Sequence, residues 1–65
     1  MIKIIDQLNA GKYTVVILDS AIPSIWNKKV KIGNKEYRTE IAYDLPNGLG
    51  IIGKGEFIGK EITFI

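Results

Sequence analysis

The amino-acid sequence predicts an all-β (mainly β) domain, a small antiparallel barrel of five to six strands. Isoleucine supplies 13 of the 65 residues, against 4 leucines and 3 valines, and a surplus of β-branched side chains favours strands over helices. The apolar runs are short, and turns that contain glycine separate them. A chain of this length buries only about 60% of the surface that it exposes when unfolded, so we expect one domain over residues 1–65 with a small core.

The first two strands are predicted at residues 2–8 and 13–18. Residues 2–8 also fit a helix, because some of their apolar residues lie three apart, but Ile2 and Ile4 alternate as in a strand. A strand is favoured because residues 9–11 suit a hairpin loop that leads into the next apolar run. That run is continuously apolar, which indicates that both faces are covered and that its outer face or a free edge receives a partner.

An apolar connection follows, and it contains the first candidate site. Ile22, Ile25 and Trp26 are spaced i, i+3, i+4 around Pro23, which predicts one short helical turn near residues 22–27 with the three side chains on one face. Such a face either closes the core or projects outward. In the second case it is a partner-binding patch, because tryptophan is enriched among the hot spots of protein interfaces.

The clearest local signal is the hairpin that comes next. Val30 and Ile32 alternate with lysines, Gly33 and Asn34 form a two-residue turn of the type II′ kind, and alternation then resumes as far as Leu45. The second strand of this hairpin is about twice the usual length. Long strands that bend and serve two sheets are the means by which small barrels close, so this strand supports the barrel prediction.

The remaining residues predict a turn and two more strands. Residues 45–48 read as a type I turn, because proline stands at its second position and glycine at its last. Residues 49–52 are expected to return antiparallel, Phe57 and Ile58 to dip into the core, and residues 61–65 to form the last strand. This pattern of short strands and glycine turns favours an SH3-like or OB-like barrel.

The composition excludes most kinds of catalytic and metal-binding site. The chain has no cysteine and no histidine, which removes disulfides, thiolate metal sites and the commonest general base. We therefore expect no metal, no cofactor and no enzymatic activity. Residues 48–53 match G-x-G-x-x-G, but a phosphate-binding loop of that type leads into a helix, and only 12 residues with a strand pattern follow. These glycines are interpreted as turns and bulges at a barrel corner.

Charge is concentrated in the hairpin. Residues 28–38 carry a net charge of +4, whereas the segments before and after are neutral and negative. The two-residue turn places Lys29 opposite Arg38, and such a like-charge pair is destabilising unless an anion lies across it. One interpretation is an exposed hairpin kept soluble by lysines. The other is a nucleic-acid interface, and its candidate residues are Lys28, Lys29, Lys31, Lys35, Arg38 and Tyr37.

These observations lead to two functional hypotheses. The first is a non-catalytic binding module that recognises a protein partner or a second copy of itself. The alternative is a nucleic-acid-binding barrel. The longest wholly apolar run is four residues, no signal peptide is recognisable, and we expect a cytoplasmic protein with no membrane contact. The commonest residues have AT-rich codons, which favours a low-GC bacterium or a mobile element as the source.

Overall fold

A computed structural model, which describes residues 1–42 and 45–65, shows six antiparallel strands closed into a small barrel. The strands are β1 (Ile2–Ala10), β2 (Tyr13–Leu18), β3 (Lys29–Ile32), β4 (Lys35–Ile41), β5 (Gly48–Ile52) and β6 (Glu61–Phe64). Their order around the barrel is β1-β2-β5-β4-β3-β6, and β6 returns to β1. The predicted all-β barrel is confirmed. No helix that the structure describes is long and apolar enough to cross a membrane.

The first hairpin forms as the strand interpretation of residues 2–8 predicts, and the helical alternative is wrong. Its turn is shorter than expected, because Ala10 pairs with Tyr13 and only Gly11 and Lys12 lie between them. Gly11 has a φ of +64°, a value that glycine adopts at little cost. The turn therefore uses glycine where the backbone is left-handed.

Two strands are shared between the two sheets of the barrel. The first residues of β1 pair with β6, and the rest of β1 pairs with β2. The register shifts between Ile4 and Asp6, so Ile5 is the extra residue of a β-bulge, which bends the strand. In β4, residues 35–38 pair with β3 and residues 39–41 with β5. These two bends allow six short strands to close.

The second hairpin has the predicted register, with Lys29 opposite Arg38 and Val30 opposite Tyr37. The second strand of this hairpin, β4, ends at Ile41 and is shorter than predicted, since the alternation extended to Leu45. Tyr43 and Asp44, which the sequence placed in this strand, lie outside the described residues.

The turn at residues 45–48 forms, and the Gly48 N–H donates to the Leu45 carbonyl at 3.0 Å. Asn47 has a φ of +58°, which a type II turn requires at its third position, so the type I prediction is wrong.

Two crossovers close the ends of the barrel. β2 and β3 lie on opposite sides of the ring, and so do β5 and β6. Because β5 is antiparallel to β2, residues 19–28 cross one end and residues 53–60 cross the other. Each crossover places apolar side chains against the core: Phe57 is buried, whereas Ile58 is exposed, and at the other end Ile22 and Trp26 pack on core residues.

The short helical turn predicted near residues 22–27 does not form, and the crossover is irregular there, with a bend at Ser24. Its polar groups bond to distant strands instead of to each other. The Asn27 N–H donates to the Ile65 carbonyl at 2.7 Å, and the Trp26 side chain reaches Thr39. A helical turn would draw these groups back toward their own segment, so the tertiary bonds prevail over the apolar spacing.

The core lies between the two sheets and consists of aliphatic side chains and one aromatic ring. Its buried members are Ile4, Val16, Leu18, Val30, Ile32, Leu49, Ile51, Phe57 and Ile62. Closure also corrects the expectation of a free edge on residues 13–18. β2 is hydrogen-bonded to β1 on one side and to β5 on the other, so a partner cannot add a strand there.

Candidate interaction surfaces

The predicted partner-binding residues do not form one exposed patch. Ile22 and Trp26 are partly buried and pack against the core, whereas Ile25 is 89% exposed. Their side chains separate because the crossover is irregular and no helical face brings them together. Of the three, Ile25 is free to meet another molecule without a change in the barrel.

Trp26 is held from three sides. Its ring packs edge-on against Phe64, with 5.5 Å between ring centroids and 80° between planes. The indole N–H donates to the Thr39 hydroxyl at 3.2 Å. The Lys28 ammonium lies 5.0 Å from the ring centroid, within the range of a cation–π interaction. The ring therefore closes one end of the barrel and also forms part of a charged surface.

The outer face of β2 is apolar along its length. Thr14, Val16 and Leu18 point into the interior, so Tyr13, Val15 and Ile17 point outward, and they are only partly buried. Their partners on β1 and β5 lie on the same outer side. The partners of Ile17 are Asp6 and Gly48, and the exposed Asp6 borders the surface at that end. We call the surface the apolar face, and its members are Leu8, Ala10, Tyr13, Val15, Ile17, Gly50 and Ile52.

A shallow groove of about 280 Å³ runs across the apolar face. Gly50 lies in its floor, between Tyr13 and Val15 on one side and Glu40 and Ala42 on the other. A Cβ atom on Gly50 would lie 3.3 Å from the Glu40 carbonyl oxygen, so even a methyl group is crowded there. The groove exists because β5 has no side chain at this position.

The sequence signalled part of this surface. The continuous apolar run of β2 indicated a covered outer face, but Leu8, Gly50 and Ile52 were not among the candidate residues. Gly48 and Gly50, two apart on β5, lie on one side of a strand, and this spacing is the signal that could have located the groove. That β5 lies beside β2 is not visible in the local sequence.

The basic residues divide into two groups. Lys28, Lys29 and Arg38 line a depression of about 340 Å³ near the end of the barrel that residues 19–28 cross. Lys31 lies opposite Glu36 on the outer side of the hairpin, and Lys35 lies beside the hairpin turn. The hairpin is therefore not one uniform basic finger, because its cations gather at its base.

Tyr37 does not belong to the basic surface. It is opposite Val30, which is buried, and its ring packs edge-on against Phe57 at 5.3 Å between centroids. The alternation of the strand turns Tyr37 toward the core, so its ring is not an exposed platform for a base.

Lys28 has an unusual backbone conformation. Its φ is +62°, a left-handed value that costs a residue with a side chain about 1–2 kcal/mol. The Lys28 carbonyl accepts a hydrogen bond from the Thr39 N–H at 2.9 Å. This bond starts the β3–β4 ladder, and the lysine side chain lies over Trp26.

Within residues 1–42 and 45–65 no group of three or more acidic side chains is close enough to hold a metal ion. The G-x-G-x-x-G match at residues 48–53 does not lead into a helix, because Gly48–Ile52 is a strand and residues 53–60 contain no helix. The chain matches no family model, no curated protein and no solved structure.

Proposed function

We propose that this chain is a small non-catalytic binding module that recognises another protein through the apolar face. The observation that carries the proposal is the outer face of β2, where Tyr13, Val15 and Ile17 follow one another with no polar side chain between them. In an antiparallel sheet with one solvated face, that face is usually polar. A contiguous apolar patch on a small domain marks an interaction site.

The size of the face limits the affinity. Covering an apolar patch of a size typical for a monomer, about 300 Å², contributes about 7.5 kcal/mol at about 25 cal/mol per Å². Association itself costs about 4–15 kcal/mol. A partner must therefore also contact the polar rim of the groove, where Glu40 lies, and we expect a transient complex rather than a permanent one.

The closed barrel favours a partner that presents side chains. Both sides of β2 and of β5 are paired with neighbouring strands, so the partner fills the groove over Gly50 with an apolar side chain. Ile25 remains a second candidate contact of the predicted patch, at 89% exposure, whereas Ile22 and Trp26 pack against the core.

Charge insertion on the apolar face tests this proposal. Leu8→Glu places a carboxylate on a half-exposed member of the face. Thr63→Glu is the matched control, because Thr63 is exposed on the other sheet. Sedimentation velocity over a concentration series measures self-association, and quantitative capture from a cell extract compares the three proteins. We expect Leu8→Glu to lose the captured partner or the dimer, and Thr63→Glu to retain it.

Two outcomes contradict the proposal. The first is equal capture and equal self-association by wild type, Leu8→Glu and Thr63→Glu. The second is loss of capture or self-association in Ile25→Glu but not in Leu8→Glu. That result would place the contact on the crossover instead of the apolar face. Circular dichroism melts confirm that each variant is folded before the comparison is made.

A second candidate function is nucleic-acid binding, favoured by the convergence of Lys28, Lys29 and Arg38 on one depression. Cations gathered in a concave site raise the local concentration of polyanions. Retention on a phosphate-bearing column at low salt tests this function, and elution at the same salt as a neutral protein removes it.

A further inference from the structure

We propose that Lys28, Lys29 and Arg38 hold a phosphate group of a single-stranded nucleic acid, with Trp26 beside them as the neighbouring aromatic surface. The proposal rests on the second function given above and names its binding site. Three independent observations meet at this place: a like-charge pair, a strained lysine and an aromatic ring under a cation.

The like-charge pair is closely spaced. Lys29 lies directly opposite Arg38, and the Thr39 N–H donates to the Lys28 carbonyl. In an antiparallel ladder the pair next to a hydrogen-bonded pair is the non-hydrogen-bonded one, whose side chains are closer together. Two cations at such positions repel each other, and an anion between them reverses the sign of the interaction.

The third cation is directed to the same place. The backbone of Lys28 is left-handed, a conformation that persists only where the surroundings impose it and that clusters at functional sites. Its carbonyl is fixed by Thr39, and its ammonium lies over the Trp26 ring. Lys28 is therefore held against the barrel, at the rim of the depression that Lys29 and Arg38 line.

The balance of charge around the depression favours an anion. Glu40 is the one carboxylate among the described side chains that line it, against three cations, and Asn27 adds an amide group. The resulting charge of +2 equals the net charge of the whole chain. A phosphate with one or two negative charges neutralises it.

The nearby ring favours a single strand over a duplex. Proteins that bind single strands combine cations that follow the backbone with aromatic rings on which bases stack. Trp26 is partly exposed and is bonded to Thr39, which itself lines the depression. A base attached to the bound phosphate can reach this ring only if it is unpaired.

The fluorescence emission of Trp26 can be used to measure binding at this site. Trp26 is the only tryptophan of the chain, so its emission reports directly on a phosphate that draws Lys28 from the ring. We would titrate the protein at low salt with a single-stranded oligothymidylate, a duplex of equal length, and inorganic phosphate. Lys29→Gln and Arg38→Gln each remove one cation from the site, and Lys54→Gln removes one from the opposite end of the barrel.

We expect the single strand to shift the emission of Trp26 and to bind more tightly than the duplex. Lys29→Gln and Arg38→Gln each weaken this binding about fivefold and lower the salt dependence of log K by about 0.7, the value for one lost phosphate contact. Lys54→Gln changes neither quantity by a comparable amount. A weaker response to inorganic phosphate, lost in the same two variants, supports the site independently of the nucleic acid.

The contrary outcomes are distinct. Equal loss in Lys54→Gln and Lys29→Gln overturns the site but leaves nucleic-acid binding standing as a general charge effect. Tighter binding of the duplex overturns the role of Trp26. No binding of any oligonucleotide, with an intact response to inorganic phosphate in the depression, removes the nucleic-acid function and keeps the anion site. No response to either probe overturns both.

Discussion

The side-chain carbonyl of Gln7 accepts a hydrogen bond of 2.6 Å from the backbone N–H of Phe57. The same side chain donates through its nitrogen to the Gly55 carbonyl at 2.9 Å. Residues 53–60 lack regular secondary structure, and backbone bonds to Lys12 and Ile4 hold the two ends of this segment. The Gln7 amide on β1 adds two bonds in its middle, next to the buried Phe57 ring.

Gln7→Ala is expected to destabilise the barrel by about 1–3 kcal/mol, because it leaves the part-buried Phe57 N–H without its partner, whereas water can replace the exposed bond to Gly55. Gln7→Glu keeps the acceptor for Phe57 but cannot donate to Gly55 at neutral pH, so it recovers only part of the loss. Asn9→Ala, an exposed amide on the same strand, is the control and should lie within about 0.5 kcal/mol of wild type. Urea unfolding gives the free energies. Equal stability of Gln7→Ala and Asn9→Ala contradicts the role of Gln7.

Thr14→Val tests the buried hydroxyl of β2. Thr14 is fully buried, and its hydroxyl donates to the Gly53 carbonyl at 2.7 Å. Valine has a similar shape but cannot donate, so about 1–3 kcal/mol of the unfolding free energy should be lost. Thr63→Val makes the same change at an exposed position of β6 and should be near neutral. If the two variants melt together, the bond contributes nothing to stability.

Two glycine substitutions separate backbone strain from steric contact. Gly33 has a φ of +63° and open space where a Cβ atom would lie, whereas Gly53 has a φ of +149° and a Cβ position only 3.2 Å from the Tyr37 ring. Gly33→Ala should cost about 1–2 kcal/mol from the left-handed conformation alone. Gly53→Ala should lower the stability by more, because the backbone conformation of Gly53 is one that only glycine readily adopts and because the Tyr37 ring must also move. Thermal unfolding ranks them, and the reverse order contradicts the explanation.

Asp19 gives the barrel a dependence on pH. The backbone N–H of Lys3 donates to its carboxylate at 3.1 Å and lowers its pKa below the ordinary value of 3.8, with a smaller contribution from the Ser20 hydroxyl. Because the folded pKa is lower than the unfolded one, this stabilisation is present above about pH 4 and is lost as the pH falls through the folded pKa.

Asp19→Asn keeps an oxygen that can accept from Lys3 but removes the titration. We expect the difference in unfolding free energy between wild type and Asp19→Asn to be constant near neutral pH and to shrink on acidification below about pH 4. Urea unfolding at a series of pH values measures it. A difference that does not change with pH shows that the carboxylate charge has no part in the contact.

The sequence predicted what local patterns control. Strict alternation and a glycine turn specified the register of the β3–β4 hairpin, including the pair of Lys29 and Arg38. The same alternation placed Tyr37 beside Val30, on the face that proves to be the inner one. The apolar spacing of residues 22–27 was misleading, because bonds to Ile65 and Thr39 decide the path of that crossover.

The surfaces depend on contacts that are distant in sequence. The apolar face needs β5 beside β2, and the groove needs the Glu40 side of β4 beside Gly50. No local pattern specifies which strands become neighbours in a closed ring. The left-handed φ of Lys28 also follows from tertiary bonding, since lysine itself does not favour it. The residue types were therefore visible in the sequence, but the sequence did not show which of these residues lie side by side in the fold.

The position of β6 between β1 and β3 has a consequence for the order in which the protein folds. The last strand of the barrel joins the first strand to the third, so the ring cannot close on a growing chain until residues 61–64 have emerged. Until then β1 and β3 each keep an open edge that can pair with another molecule. Folding dominated by such distant pairing is slow, so aggregation competes most strongly just before the final strand inserts.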